Sequence, residues 1–388
     1  MNKEVTALIC ECNPFHEGHK RIIDKAKENG NLLVCIMSPD FVQRGEPAVF
    51  DKYKRTEVLL ANGVDLVIEL PVEYALSSAR YFAKVGVYIA HKIGFVDNII
   101  FGSFINDFDK LKYISDISTA VFNAYENNNK SNTNIKKKVN TDNSNNDLTH
   151  YNKKIKEYLK KGISYPKALS MGLGIDLKSN DILNIEYLHA LQELKSKINP
   201  IMFERKKDIQ GASDIRQNMK EVITIDDFSD YLNQILFYNN KNEIGFIDYY
   251  GIDESFNNSL MNIATKNLSY SERVDVLTTK NRTMANVKRN LLHILLGIKK
   301  NDINNKKYFS KYNYIRVIGF NNYGKSLLNK IQIPYLLGYT KKELDRFDRA
   351  YYDHNINRSI LINIYASDLY QFVSRTEEFE RSRKVVKI

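Results

Sequence analysis

Residues 7–23 read ALICECNPFHEGHKRII, and this stretch decides how the N-terminal half of the chain is interpreted. The apolar run Ala7–Cys10 is typical of a buried strand, and the amphipathic segment that starts at Gly18 predicts a helix. Two histidines, His16 and His19, lie between strand and helix, three residues apart. The stretch therefore predicts a strand, a turn and a helix, with both imidazoles at the carboxyl end of the strand.

This pattern favours a phosphate site at the turn. A helix N-terminus presents N–H groups and partial positive charge to an anion, and Gly18 lets an anion approach the backbone closely. His16 and His19 can donate hydrogen bonds to phosphate oxygens as charge develops in a transition state. A lone histidine is more often an ordinary surface or core residue. The place of this pair after a first strand favours function, because nucleotides bind at the carboxyl ends of parallel strands.

Strand-like and helix-like segments alternate over the first hundred residues. The apolar runs predict strands that are covered on both faces. The alternation predicts an α/β fold, namely a Rossmann-like parallel sheet followed by a mainly helical C-terminal part. The predicted strands are Ala7–Cys10, Leu32–Met37, Leu66–Leu70 and Asn98–Phe101, and the predicted helices are Gly18–Lys27, Asp51–Ala61 and Ser78–Lys92.

The 388 residues are enough for two domains. We expect a nucleotide-binding α/β domain over residues 1–220 and a mainly helical, basic domain over 221–388. The asparagine-rich segment 127–149 cannot bury a core and predicts a flexible insertion. Further predicted elements are a helix at Asp181–Leu194 and strands at Ile201–Phe203 and Tyr314–Ile318.

The formal net charge of +11 indicates a polyanionic partner, with nucleic acid first and a membrane surface second. No segment approaches the ~20 apolar residues of a membrane span, and the N-terminus does not resemble a signal peptide. Cys10, Cys12 and Cys35 lack metal-site spacing, so we expect buried or half-buried thiols in a reducing compartment and no metal site. These observations predict a cytoplasmic protein.

Six segments form a pattern shared by one family. They are ECNPFHEGH (11–19), MSPDFVQRGEPA (37–48), GVDLVIELP (63–71), FGS (101–103), NLLHILLGI (290–298) and YIRVIGF (314–320). Together they resemble the tRNA(Met) cytidine acetate ligase family, within the nucleotidyltransferase superfamily. The histidine motif by itself indicates only that the protein binds a nucleotide, whereas the FVQRGEP run is much more specific for this family. The resemblance covers nearly the whole chain except the asparagine-rich segment.

The resemblance implies a two-step reaction. ATP and acetate would form acetyl-adenylate, and the acetyl group would pass to N4 of the wobble cytidine, C34, of elongator tRNA(Met). It implies ATP as a substrate, with Mg²⁺ as the usual companion ion, and no membrane or protein partner. Two other functions stay open: a small-molecule adenylyltransferase, and a catalytically silent RNA-binding protein. The basic C-terminal part is evidence against an adenylyltransferase of small molecules. The intact histidine pair is evidence against a silent RNA-binding protein.

The resemblance also implies roles for particular residues. His16 and His19 would be catalytic, and ATP would lie along the first strand, the turn and the first helix. The implied ATP-binding residues are Ile9, Cys10, Glu11, Cys12, Asn13, Pro14, Phe15, His16, Glu17, Gly18, His19, Lys20, Arg21, Ile22, Gly102, Asn180, Arg205 and Lys206.

The later positions have ordinary alternatives. Gly102 can be a turn glycine, and Asn180 or its neighbour Asp181 can be a helix cap. Arg205 and Lys206 can be solvated charges rather than phosphate ligands.

Residues 211–216 resemble the second phosphate motif of the superfamily. Ser213 would cap a helix and Arg216 would reach the β- and γ-phosphates, although a simple capped helix remains an alternative. Four features depart from the family pattern, namely Phe104, Asn184, Asp214 and the short spacer between Arg205 and Ser213.

Basic residues in the C-terminal part predict the RNA surface. Residues 276–301 contain six lysines and arginines and no acid, and such side chains bind phosphates without reading bases. The candidates for tRNA contact are Arg44, Lys280, Arg282, Lys288 and Arg289. A solvated helix face is the alternative for Lys288 and Arg289. For Arg44 the alternatives are a contact with acetyl-adenylate and an ion pair with Glu46.

Overall fold

The structure is a computed structural model that describes residues 3–130, 145–205, 211–219, 222–303, 314–351, 354–376 and 378–388. Its strands are β1 Val5–Cys10, β2 Leu32–Met37, β3 Phe41–Val42, β4 Glu46–Pro47, β5 Leu66–Glu69, β6 Asn98–Ser103, β7 Asn199–Glu204, β8 Ile315–Phe320, β9 Tyr335–Leu336 and β10 Val386–Lys387.

The helices lie between these strands and over most of the C-terminal half. They are α1 Glu17–Ala26, α2 Lys52–Ala61, α3 Val72–Ala75, α4 Ala79–Lys92, α5 Phe108–Lys130, α6 Asn145–Lys160, α7 Tyr165–Leu173, α8 Ser179–Glu193, α9 Ala212–Gln217, α10 Ser229–Lys241, α11 Glu254–Met261, α12 Tyr270–Leu277, α13 Met284–Leu295, α14 Lys300–Ile303, α15 Asn322–Leu328, α16 Lys341–Tyr351 and α17 His354–Val373. Short 3₁₀ turns cover Glu28–Gly30 and Ile225–Phe228.

One mainly parallel sheet organises the molecule, in the order β10-β8-β5-β2-β1-β6-β7. Only β8 runs antiparallel to its neighbour β5, while β9 lies parallel to β8. Alternate residues of β1 pack into two apolar clusters on opposite faces, with Ala7 and Ile9 in one and Leu8 and Cys10 in the other. The predicted α/β fold with a sheet covered on both faces is confirmed.

The sheet crosses the boundary that the sequence predicts near residue 220. Strand β8 pairs with β5 from Leu66↔Phe320 to Glu69↔Arg316, and β10 adds to the far side of β8. The C-terminal part is therefore joined to the N-terminal sheet rather than separate from it, although residues 222–303 are largely helical. The sequence predicts the strand that forms β8 but not its pairing with β5, because pairing between distant segments leaves no local pattern.

Helices extend into both ends of the segment 127–149. Helix α5 continues to Lys130 and α6 begins at Asn145. The two ends of the predicted flexible insertion are thus helical, and the rest of it, residues 131–144, lies outside the described part of the chain. Among the described residues, no helix is long and apolar enough to cross a bilayer.

The buried Arg55 of α2 holds the carboxyl edge of the sheet together. Its Nη1 donates to the carbonyl oxygens of Glu11, at 2.7 Å, and Ser38, at 3.0 Å, which follow β1 and β2. Charged donors make stronger hydrogen bonds than neutral ones. Arg55 therefore fixes the start of the loop after β1, and this loop contains both histidines. The sequence analysis did not identify Arg55.

Candidate active site

The histidine turn, residues 11–19, links β1 to α1. His16 is the N-cap of α1, and its Nδ1 accepts from the Gly18 N–H at 3.0 Å. The His16 N–H in turn donates to Nδ1 of His19 at 3.3 Å. Since both Nδ1 atoms accept, each neutral ring carries its proton on Nε2. The turn thus fixes the tautomers and leaves two Nε2–H donors, on rings whose centroids are 3.9 Å apart.

Both imidazoles are neutral near pH 7. Burial, followed by the Arg205 charge, lowers the pKa of His16. Burial, followed by His16 and Arg205, lowers the pKa of His19 to about 3. A neutral Nε2–H group gains interaction energy as negative charge builds up on an oxygen that it faces. The pair is therefore suited to stabilising a developing charge.

The start of α1 differs slightly from the prediction. The helix begins at Glu17, one residue earlier than expected, because the His16 side chain takes the N-cap position. The Gly18 N–H is occupied by His16 and is therefore not available to an anion. The imidazoles, rather than this backbone group, remain as donors.

Arg205 lies at the end of β7 and packs over Gly102 of β6. Its N–H donates to the Ser103 carbonyl at 2.8 Å. A Cβ on Gly102 would lie 2.9 Å from Cγ of Arg205. Gly102 thus gives room to the Arg205 side chain, and close approach of adenosine there stays a prediction. The Arg205 guanidinium is 5.3 Å from the centroid of the Phe104 ring, which gives this departure from the family pattern a packing role. Lys206 lies outside the described residues.

The start of α8 is tied to the end of β6 by two side chains that the sequence analysis did not place in the site. Asp181 Oδ1 accepts from Ser103 Oγ at 2.9 Å and from the Phe104 N–H at 3.0 Å. Asn184 Nδ2 donates to the Gly102 carbonyl at 3.0 Å. An aspartate in the first helical turn was the available signal for this contact.

Asn180 does not cap α8. Asp181 Oδ2 instead accepts from the Lys178 N–H at 3.2 Å, which makes Asp181 the capping side chain. Asn180 is half-buried and makes no side-chain hydrogen bond with any described residue, so its amide remains available to a ligand. Its role as an ATP contact stays a prediction.

Helix α9 contributes Arg216 to the histidine turn. The Nη1 atom of Arg216 donates to the Asn13 carbonyl at 2.6 Å. The prediction that Ser213 caps this helix is wrong. The N-cap is Gly211, whose N–H donates to Asp214 Oδ2 at 3.2 Å, and Ser213 is exposed in the first turn. The helix starts earlier because Asp214 is three residues after Gly211 and reaches back to it.

The β3–β4 hairpin lies beside the same turn. The Gln43 N–H donates to Glu11 Oε1 at 2.8 Å. Burial raises the pKa of Glu11, while this hydrogen bond and then Arg44 and Arg216 oppose the rise. Arg44 is exposed at the tip and makes no ion pair with a described residue. The alternative of an Arg44–Glu46 pair is wrong, because Glu46 pairs with Lys288.

Lys288 and Arg289 of α13 hold this hairpin and are only partly exposed. Lys288 Nζ is 2.6 Å from Glu46 Oε1, and Arg289 Nη1 donates to the Gln43 carbonyl at 3.1 Å. Gly45, at φ +78°, packs so closely that a Cβ would lie 2.8 Å from the Arg289 nitrogen. The alternative of a solvated helix face is therefore wrong, because an internal interface uses both side chains. Contact of these two residues with tRNA stays a prediction.

The other two predicted tRNA contacts differ from each other. Arg282 Nη2 donates to Ser255 Oγ at 2.6 Å and lies 3.5 Å from Asp253 Oδ1. Lys280 is exposed. Of the five predicted tRNA contacts, only Arg44 and Lys280 are thus exposed and without an ion pair within the described residues.

Three buried thiols lie close together, one in the histidine turn and the others on β1 and β2. The Cys10 Sγ is 3.1 Å from that of Cys12 and 3.2 Å from that of Cys35. All three are free, as predicted. In the part of the chain that the structure describes, no group of three or more histidine, cysteine or carboxylate side chains is arranged to hold a metal ion.

The chain is similar to known proteins over most of its length. The chain matches the family described as HIGH Nucleotidyl Transferase over residues 3–147, 140–221 and 209–384. The tRNA(Met) cytidine acetate ligase of Acetivibrio thermocellus is 29% identical over 435 residues, covering 98% of this chain and 97% of that protein. The protein of that name from Thermoanaerobacter sp. is 31% identical over 377 residues, covering 84% and 86%. The crystal structure of Thermotoga maritima TmcAL bound with alpha-thio ATP matches with a TM-score of 0.81, 25% identity and 99% coverage of both chains.

Proposed function

The chain belongs to the tRNA(Met) cytidine acetate ligase family of HIGH nucleotidyl transferases, and we propose that it acetylates N4 of the wobble cytidine, C34, of elongator tRNA(Met) at the expense of ATP. The observation that carries the proposal is the histidine turn with its two fixed Nε2–H donors, in a chain that relatives of that name match from end to end.

The first step activates acetate. A carboxylate oxygen of acetate attacks the α-phosphorus of ATP, the bond from this phosphorus to the α,β-bridging oxygen breaks, and pyrophosphate leaves with the electron pair. Negative charge builds up on the α-phosphate oxygens in the transition state. His16 and His19 would donate to these oxygens as neutral imidazoles. One such donor contributes about 3–4 kcal/mol of transition-state stabilisation in comparable sites.

The second step transfers the acetyl group. N4 of the cytidine attacks the acetyl carbonyl carbon, the bond from this carbon to the phosphate oxygen breaks, and AMP leaves. The proton lost from N4 passes to solvent. The product is N4-acetylcytidine, and each turnover consumes one ATP and one acetate.

Arginines around the turn would hold the polyphosphate. Arg216 donates to the Asn13 carbonyl of the turn, and the charge of Arg205 lies near enough to lower the pKa of His16. Guanidinium groups bind phosphate through paired N–H donors. Asn180 and Lys206 remain proposed ATP contacts, and Arg44 a proposed tRNA contact.

Mg²⁺ fits the reaction as a companion of ATP. Mg²⁺ at nucleotide sites is held largely by phosphate oxygens and water, with one or two carboxylates. Glu11 is the half-buried carboxylate of the histidine turn, and its Oε1 already accepts a hydrogen bond from the Gln43 N–H. We therefore propose an ion that arrives with ATP, and chelation by EDTA should abolish activity. The reaction is expected in the cytoplasm, where ATP and tRNA meet.

The decisive experiment incubates the protein with ATP, isotope-labelled acetate and a transcript of elongator tRNA(Met). Label on C34 that requires ATP supports the proposal. A C34→U transcript is the matched control and should remain unlabelled. Acetyl-adenylate forms in the first step without RNA, so only label that accumulates in a small product and never reaches C34 when the tRNA is present would instead support an adenylyltransferase. Binding of tRNA without pyrophosphate release or label would support a silent RNA-binding protein.

A further inference from the structure

Helix α6 carries a dense group of lysines that the ATP site does not use. Lys153, Lys156 and Lys160 follow one another at helical spacing on the solvent side, and Lys154 and Lys161 flank them. Lys156 is half-exposed and the other four are exposed. Glu157 is the one acid between positions 150 and 161. This side of α6 is therefore strongly positive.

The opposite side of α6 is fixed in the protein. Ile155 is fully buried, and a Cβ on Gly172 of α7 would lie 2.3 Å from its Cγ1. Helix α6 also packs against α5, and α5 packs against α8, whose first turn contains Asn180. The lysines thus lie on a helix with a defined orientation, two helices away from the predicted nucleotide contact.

A second basic element abuts the end of this helix. The turn at residues 279–282 is closed by mutual hydrogen bonds between Thr279 and Arg282, each 3.1 Å long. Its Asn281 side chain contacts Gly162, since a Cβ there would lie 2.5 Å from Asn281 Oδ1. The exposed Lys280 is therefore next to the end of α6.

We propose that the lysine surface, formed by Lys153, Lys154, Lys156, Lys160, Lys161 and Lys280, binds the phosphate backbone of the tRNA. The proposal rests on the proposed function and deepens it by naming the surface on which the RNA docks. It also moves the RNA surface away from α13, because Lys288 and Arg289 are used internally.

Charge and spacing favour RNA as the occupant. Lysines along a helix edge can contact successive phosphates, and the release of counterions from RNA supplies the free energy of binding. Such contacts are independent of sequence, so the surface would orient the tRNA while the histidine turn receives the base. The surface combines two segments, residues 153–161 and Lys280, that lie more than a hundred residues apart in the sequence.

The test uses a variant in which Lys153, Lys156, Lys160 and Lys161 are all changed to glutamine. Binding to the elongator tRNA(Met) transcript is measured by filter retention at a series of salt concentrations. We expect affinity to fall on the order of a hundredfold, and the slope of log affinity against log salt to decrease by about 3, which is about 0.7–0.9 per lost phosphate contact. A second tRNA should lose affinity by the same factor, because no base is read.

The matched control removes the same charge elsewhere. Lys325, Lys330, Lys341 and Lys342 are exposed on α15, the turn after it and α16, and their change to glutamine should leave affinity and slope unchanged. Thermal midpoints establish that both variants are folded. The single change Lys280→Gln should reduce the slope by about 1.

Each other result overturns the proposal. If the α6 variant binds tRNA with wild-type affinity, α6 is not part of the RNA surface. If both variants lose affinity equally, the loss comes from the change in net charge and not from this surface. Binding of anionic phospholipid vesicles, but not tRNA, through these lysines would assign the surface to a membrane. Failure of the proposed function is seen separately, as a wild-type protein that binds tRNA but does not label C34.

Discussion

The carboxyl edge of the sheet contains two clusters of charged side chains that differ in charge balance. In the buried ion cluster, Lys52 Nζ lies 2.6 Å from Glu69 Oε1 and 3.1 Å from Glu380 Oε1, and Arg316 Nη2 lies 3.8 Å from Glu380 Oε1. Two cations thus meet two carboxylates, and all four side chains are buried.

The histidine turn has the opposite character. Arg205 and Arg216 approach it, and the exposed Arg44 lies beside it. Within the turn itself Glu11 is the half-buried carboxylate, while Asp181 lies near Arg205 and Glu46 near Arg216. The two imidazoles are half-buried, and their Nε2–H groups remain as donors. A neutral, closed cluster fixes the fold, whereas an open cluster with excess positive charge is suited to an anionic ligand.

The same contrast appears in the pKa values. Burial lowers the pKa of Lys52, but the Glu380 and Glu69 carboxylates outweigh burial and raise it overall. Burial raises the pKa of Glu69. At the histidine turn, burial and Arg205 both lower the pKa of His16, with no carboxylate to oppose them. The difference indicates which cluster has its charges paired within the protein.

The largest expected effect is on stability, from Lys52→Met. Removing one partner leaves two buried carboxylates without their closest cation, so the free energy of unfolding should fall by about 3–5 kcal/mol. Urea unfolding measures this change. Lys54→Met on the same helix is the control, because Lys54 is exposed and its loss should change stability by less than about 0.5 kcal/mol. Equal effects of the two changes would contradict the comparison.

Replacing the histidines should affect activity rather than stability. His16→Asn keeps an acceptor for the Gly18 N–H but removes the imidazole donor. We expect this variant and His19→Ala to lose about a hundredfold to a thousandfold in pyrophosphate exchange into ATP. His150→Ala, at an exposed position on α6, is the control. If the exchange rate of His16→Asn equals that of the wild type, the catalytic assignment fails.

A smaller effect is expected from Arg205→Gln. Loss of a charged donor to phosphate should weaken ATP binding by about 1.5–3 kcal/mol, or roughly tenfold to a hundredfold. Gly102→Ala should act in the same direction, because the added Cβ displaces the Arg205 side chain. Calorimetric titration with ATP measures both, with the exposed Arg381→Gln as the control. If Arg205→Gln binds ATP with wild-type affinity, Arg205 is not part of the nucleotide site.

The smallest effect concerns Glu73, a buried carboxyl that makes no ion pair with a described residue. It accepts from Ser359 Oγ and from Asn363 Nδ2, and burial raises its pKa from 4.5 to about 7. The unfolded chain loses this proton near pH 4.5 while the folded protein keeps it. Stability from this group therefore falls as pH rises from about 4.5 to about 7 and then levels off.

Glu73→Gln should abolish this dependence. Its stability relative to the wild type should increase between pH 5 and pH 7, as measured by paired urea titrations. A constant difference between wild type and variant across this range would mean that Glu73 is ionised in the folded protein. The exposed Glu57→Gln serves as the control.

Sequence reasoning was most successful where the signal is local. The runs that became β1, β2, β5 and β6 are apolar almost throughout, and this pattern requires no knowledge of partners. The histidine turn was also identified, because strand, turn and helix follow one another without a break. The role of His16 as N-cap was missed, since Ser, Thr, Asp and Asn are the usual residues there.

The errors concern side chains whose partners lie far away in the chain. Lys288 and Arg289 have the spacing of a solvated helix face, but the hairpin at Gln43–Glu46 covers them. Periodicity identifies which residues share a face and gives no information about what packs on that face. The same limitation hid Arg55 and the contact between Gly162 and Asn281.

The sequence by itself determined the parallel α/β sheet, the place of the histidine turn and the excess of positive charge, because these depend on short-range pattern and composition. Only the tertiary structure decided which cations are neutralised. Lys52 and Lys153 are the same residue type on helices of the same chain, yet one is buried between two carboxylates and the other is exposed. The ion pairs of Lys52 join segments that are distant in the sequence, so their formation depends on how the helices pack on the sheet.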